Sequence, residues 1–235
     1  MRHWIGATLA LVLPVAAAAQ DTDLELVLLA DVSGSIDSRE FRLQREGYAA
    51  AITDPEVLAA IANTAYGSIA VTYVEWAANQ VVVAPWRRIA TGAHAEAFAA
   101  DILGPPRQAA GRNAIGAALL EGLRLMEDND IDGWRRVIDF SGDSVNNYSG
   151  PSIAAARETV LAAGVTINAL PILRPGDPGR AMGGLEALYE RQIIGGRGAF
   201  VVTADTRASF AEAIKRKLIL EISGEMPARR LARGD

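Results

Sequence analysis

The sequence predicts a single α/β domain built on one doubly wound, mostly parallel sheet with helices on both faces. Three observations carry this. Short, nearly continuous apolar runs recur along the chain, as in strands buried on both sides. Segments of helical period lie between most of them, the pattern of strand–helix–strand crossovers. Two of the runs end in Asp, Ser and Gly, residues suited to loops at the carboxyl end of a parallel sheet, where sites form. The chain has 235 residues, of which 50% are hydrophobic and 22% charged. That is the size of one domain with a sizeable core.

Residues 1–19 read as a secretory leader. Arg2 precedes an apolar stretch over 4–15, and Ala17, Ala18 and Ala19 supply the small residues of a cleavage site. The stretch is short for a membrane span, and Pro14 interrupts it. An exported protein is expected, in a bacterial periplasm, with no membrane span after cleavage. The domain then runs over 20–223, and 224–235 form a flexible basic tail.

Residues 24–30 (LELVLLA) are the first strand, ending at Asp31. Asp37 and Glu40 form a capping box for a helix to about Ile52. Asp54 and Pro55 start a second, short helix. Residues 68–76 and 80–84 are β-rich and flank Asn79, which predicts a hairpin. An Ala-rich helix is expected over 91–103. Ile115, Leu119, Gly122, Leu123 and Met126 make one stripe of a helix over 113–126. Strands follow over 136–141, 165–173 and 199–203, with helices over 151–163, 185–193 and 206–222. Residues 174–184 form a loop rich in Gly and Pro.

Composition narrows the function classes. The chain has no Cys and two His, His3 and His94. A disulfide framework, a Cys nucleophile, a Cys-based zinc site and, once the leader is gone, a multi-His metal site are excluded. A metal would have to be held by oxygen, which favours magnesium, manganese or calcium. The net charge of −5 argues against a nucleic-acid binder.

After the first strand stand Asp31, Ser33 and Ser35, alternating along a tight loop in which Gly34 permits the bend. After the strand over 136–141 comes Gly142-Asp143-Ser144. If the two strands are neighbours where strand order reverses, Asp31 and Asp143 converge. Two adjacent carboxylates repel unless a cation lies between them. The competing reading is that Asp, Ser and Gly are simply turn and N-cap residues.

At this point LLADVSGSID resembles the first strand and metal-ion-dependent adhesion motif of von Willebrand factor A domains. VIDFSGDSVNN is similar to their later Asp-bearing loop, and residues 111–119 (GRNAIGAAL) to the loop that usually supplies a threonine. The nearest resemblance is to an uncharacterised, secreted bacterial branch, a domain of unknown function. It implies a Rossmann-like fold in which Ser33 and Ser35 coordinate a divalent cation directly, Asp31 and Asp143 directly or through water. It implies a protein partner that supplies an acidic side chain to the same ion. Asn113 occupies the threonine position and Ser144 that of a glycine, both departures; an N-cap role suits Asn113 equally.

Other residues carry less. Asp139, four residues before Asp143 at about 3.3 Å each, is too far for the same site and is expected in a buried hydrogen bond or ion pair. Glu75 and Trp76 end a strand, and Glu75 reads as a solvated strand end. Asn146 and Asn147 are expected to shape the rim or a turn. His94 reads as a surface residue, Gly195-Gly196-Arg197-Gly198 as a turn, and the terminal Arg233-Gly234-Asp235 as a chance match. The expected function is an exported, non-enzymatic module that captures a partner's carboxylate through the cation. The alternatives are a metal-dependent hydrolase or phosphatase using Asp31, and a scaffold with a vestigial site.

Overall fold

The computed structural model describes residues 20–173, 184–203 and 209–225. The expected leader, the Gly- and Pro-rich loop except Gly184, and the tail beyond 225 lie outside the described residues. The strands are β1 (Gln20–Asp31), β2 (Ile69–Trp76), β3 (Gln80–Ile89), β4 (Ile131–Gly142) and β5 (Thr166–Pro171). The helices are α1 (Ser38–Thr53), α2 (Pro55–Ala62), α3 (Gly92–Leu103), α4 (Ile115–Glu127), α5 (Ile153–Ala162), α6 (Gly184–Gln192) and α7 (Phe210–Ser223).

The sheet order is β3-β2-β1-β4-β5. β1 is parallel to both neighbours, β4 is parallel to β5, and the β2–β3 hairpin adds an antiparallel edge. The chain winds outward through β2 and β3, then returns to the other side of β1 for β4 and β5. Winding therefore reverses between β1 and β4.

Period-two alternation along β1 feeds two cores. Leu24, Leu26, Leu28 and Ala30 pack with Tyr48 and Ile52 of α1, Phe98 of α3, and Ile214 and Leu218 of α7. Val27 and Leu29 face the opposite core with Leu119 and Leu123 of α4 and Val160 of α5. The expected α4 stripe is buried throughout, from Ile115 to Met126. Asp37 caps α1 through a complete capping box, its Oδ1 accepting from the amides of Arg39 and Glu40.

Three local expectations are corrected. Residues 199–203 do not form a strand of the sheet; they make one isolated bridge, with main-chain bonds to Ala169, and Asn168 Oδ1 takes the Phe200 amide. Glu75 is not solvated: it is fully buried and its Oε1 accepts from Arg45 Nε at 2.7 Å. The last helix begins at Phe210, and 204–208 lie outside the described residues. Asp139 is in the expected ion pair, its Oδ1 lying 2.8 Å from Lys217 Nζ of α7.

Candidate metal centre

Register places the two acidic loops together. Ala30 pairs with Ser141 across β1 and β4, so Asp31 and Gly142–Asp143 leave the sheet side by side. Asp31 is fully buried. Its Oδ1 accepts from the Ser33 amide at 2.8 Å, and its Oδ2 from the Asp143 amide at 3.3 Å. The turn this creates sets Ser33 Oγ and Ser35 Oγ 3.1 Å apart, one hydroxyl buried and the other exposed. Ser33 and Ser35 thus bring their hydroxyls together on a turn that Asp31 holds by the Ser33 amide.

The approach is tight because residue 142 has no side chain. A Cβ there would stand 3.1 Å from Asp31 Oδ2 and 2.9 Å from the Tyr189 hydroxyl. Burial, and secondly the charge of Asp143, raise the Asp31 acid to about 7. Burial, followed by the charges of Asp31 and Asp143, pushes the Tyr189 hydroxyl well above its usual range. Both shifts follow first from burial and then from the neighbouring carboxylate charge.

Asn113 stands on a third loop, buried. That loop is joined to the first through the Gly34 amide and Gly111 carbonyl at 2.9 Å. It is joined to the Asp143 loop through the Tyr148 amide and Asn113 carbonyl at 2.8 Å. Gly111 has φ +105°, and a Cβ there would come within 2.7 Å of the Ala78 Cβ, so glycine is required. Asn113 does not cap α4. The cap position is Ala114, without a side-chain bond, and the Gly116 amide is met at 3.2 Å by Asn147 Oδ1. Asn147 Nδ2 also donates to the Pro151 carbonyl at 2.9 Å, so it links α4 to the start of α5.

The sequence reading missed the residues that hold the first loop. Arg107 donates to the carbonyls of Val32, Ser33 at 2.9 Å and Ile36 at 3.2 Å. Gln44 Nε2 donates to the Asp31 carbonyl at 2.7 Å, and its Oε1 accepts from Ser141 Oγ at 3.4 Å. Arg45 pairs with Glu75 and also donates to the Pro105 and Pro106 carbonyls. Arg45 and Arg107 both lie over the Phe41 ring, at 4.6 and 5.6 Å. The apolar pattern of α1 hides Gln44 and Arg45, since neither motif nor period marks a polar residue that reaches under a sheet end.

The donors are carboxylate and hydroxyl oxygens. Among the described residues no three His, Asp or Glu side chains are grouped so as to hold a metal ion by themselves, and a cation held here would draw on hydroxyls and water as well as on the two carboxylates. That chemistry fits magnesium, manganese or calcium.

The profile of the family described as Protein of unknown function (DUF1194) matches residues 21–226. The chain belongs to this family. The DUF1194 chain shares its fold with proximal thread matrix protein 1 from the mussel byssus, at a TM-score of 0.62 and 16% identity over 88% of this chain and 49% of that one. A further structure of the mussel protein, described as having a zinc-occupied MIDAS motif, gives a TM-score of 0.59 at 15% identity, covering 88% and 50%. The von Willebrand factor type A protein from Catenulispora acidiphila gives 0.56 at 15% identity, covering 86% and 43%. A search of the curated proteins gives no match. The DUF1194 chain spans about half the length of the mussel protein. At these identities the likeness is one of fold: the DUF1194 domain is a von Willebrand factor A-like α/β domain.

Proposed function

We propose that this DUF1194 protein is an exported, non-enzymatic binding module that captures a protein partner through a divalent cation, magnesium in the first instance. The observation that carries this is the convergence of Asp31 and Asp143 beside the Ser33–Ser35 hydroxyl pair at the point where the winding of the sheet reverses. Asp31, Ser33, Ser35 and Asp143 would hold the ion, and Asn113 would face it from the third loop. When bound, the ion would offer an electropositive centre to a carboxylate oxygen of the partner. The protein's own residues fix that centre. Arg107 and Gln44 hold the main chain of the first loop, and the Gly142 approach keeps the carboxylates together. The zinc-occupied motif in the mussel protein of like fold supports the reading. Export is in line with the leader expected over residues 1–19, and among the described residues no helix is long and apolar enough to cross a membrane.

The test is a calorimetric titration of residues 20–235 with magnesium and manganese, into the millimolar range. Saturable 1:1 binding that disappears in Asp31→Ala, with the variant still folded, is the expected result. A folded wild type that takes up neither ion overturns the proposal and leaves the scaffold reading.

A further inference from the structure

Among the described residues, three arginines stand on or behind the loops of the candidate site and are used differently. Arg45 and Arg107 are partly or wholly buried, and their N–H groups go to Glu75 and to main-chain carbonyls. Arg112 is exposed, immediately before Asn113. Its guanidinium lies over the Tyr148 ring, Cζ 3.5 Å from the centroid, and no hydrogen bond or ion pair ties it to another described residue. Tyr148 is itself 51% exposed, and its amide holds the Asn113 carbonyl. A stacked guanidinium keeps its in-plane N–H donors available, in the fork that matches a carboxylate. Gly111 fixes the main chain from which Arg112 projects.

A free positive charge at this place is unfavourable to a bound cation on its own and favourable to an anion beside it. We infer that Arg112, stacked on Tyr148, is a second anchor for the partner, so that the module takes an acidic peptide segment rather than an isolated carboxylate. This rests on the cation-dependent reading above. One acidic group of the segment goes to the ion, and a neighbouring one to the Arg112 fork. Arg112 therefore couples the two events: it weakens uptake of the ion alone and strengthens uptake with the peptide.

The experiment measures manganese affinity of residues 20–235 by calorimetry, alone, with acetate and with a triglutamate peptide, after subtracting the peptide's own hold on the ion. Triglutamate is expected to tighten manganese binding at least tenfold and acetate much less. Arg112→Ala and Tyr148→Ala should each cut the peptide's effect at least fivefold, leaving that of acetate. Tyr148→Phe, which keeps the ring, should retain it. Arg112→Ala should also bind manganese alone more tightly than wild type. A peptide effect that is absent, or unchanged in Arg112→Ala, overturns the inference while the metal reading stands. A wild type that takes up no manganese overturns both.

Discussion

The amide of Asp143 donates to Oδ2 of Asp31 across 3.3 Å, joining the ends of two central strands whose residues are 112 apart in the chain. This contact, with no side chain at Gly142 to hold the strands off, is what brings two turn-like motifs together. It also sets carboxylates together that repel one another in the absence of a cation.

Asp31→Asn should therefore stabilise the metal-free domain while abolishing cation uptake. The amide keeps an oxygen for the Ser33 N–H and removes one charge, at the cost of the longer Asp143 N–H bond, which an NH2 group cannot accept. A gain of about 1 kcal/mol is expected, read as a rise in Tm in chelator. Added magnesium should raise the Tm of wild type and leave that of the variant unchanged. A variant less stable than wild type in chelator would contradict the repulsion argument.

Arg107→Ala should loosen the first loop. Three carbonyls lose a charged donor, and bonds of this kind contribute roughly 1.5–3 kcal/mol. Hydrogen exchange at the amides of residues 32–36 should speed up, and manganese affinity should fall about tenfold for each ~1.4 kcal/mol of lost loop order. Arg107→Lys should not restore either, because a compact ammonium cannot span three carbonyls.

Beneath the sheet, Lys217 of α7 lies between Asp139 and Glu221, all three fully buried. Lys217→Met leaves two carboxylates without their cation and should cost about 3–5 kcal/mol. Combining it with Asp139→Asn and Glu221→Gln should recover most of that loss. Chemical denaturation of the three proteins, wild type, Lys217→Met and the triple variant, measures both effects.

The same cluster gives a pH dependence of defined sign. Burial raises the Glu221 acid from 4.5 to about 7, against the lowering effect of Lys217. Between those values the folded chain holds a proton that the unfolded chain has released, so stability falls as pH rises through the window. One proton contributes a slope of at most ~1.4 kcal/mol per pH unit. Glu221→Gln should reduce the slope between about pH 4.5 and 7 by one proton's contribution, leaving that of Asp31, whose acid is raised to about 7 as well. An unchanged slope would place the titration elsewhere.

Much of this architecture is legible in the sequence because the local signals agree. The run LELVLLA gives a strand buried on both faces, Asp37 and Glu40 give the start of α1, and Asn79 marks the hairpin. The position of Asp31 and Asp143 at strand ends, and hence their convergence, follows from topology. What is not legible depends on tertiary partners. Glu75 reads as solvated because its partner Arg45 is 30 residues away on α1. A cap role suits Asn113 as well as a ligand's because it precedes a helix, yet Asn147 supplies the bond from a loop 31 residues beyond Gly116. Residues 199–203 have strand composition, but their main chain meets β5 at Ala169 alone, while the Asn168 side chain takes the Phe200 amide.

The most direct test is a crystal structure of residues 20–235 grown with manganese, with anomalous differences measured at the manganese edge. The expected result is one peak between Asp31 and Asp143, within bonding distance of the Ser33 and Ser35 hydroxyls, and absent from crystals of Asp31→Ala. An ordered first loop with no peak there, at millimolar manganese, would contradict the assignment of these residues as a cation site.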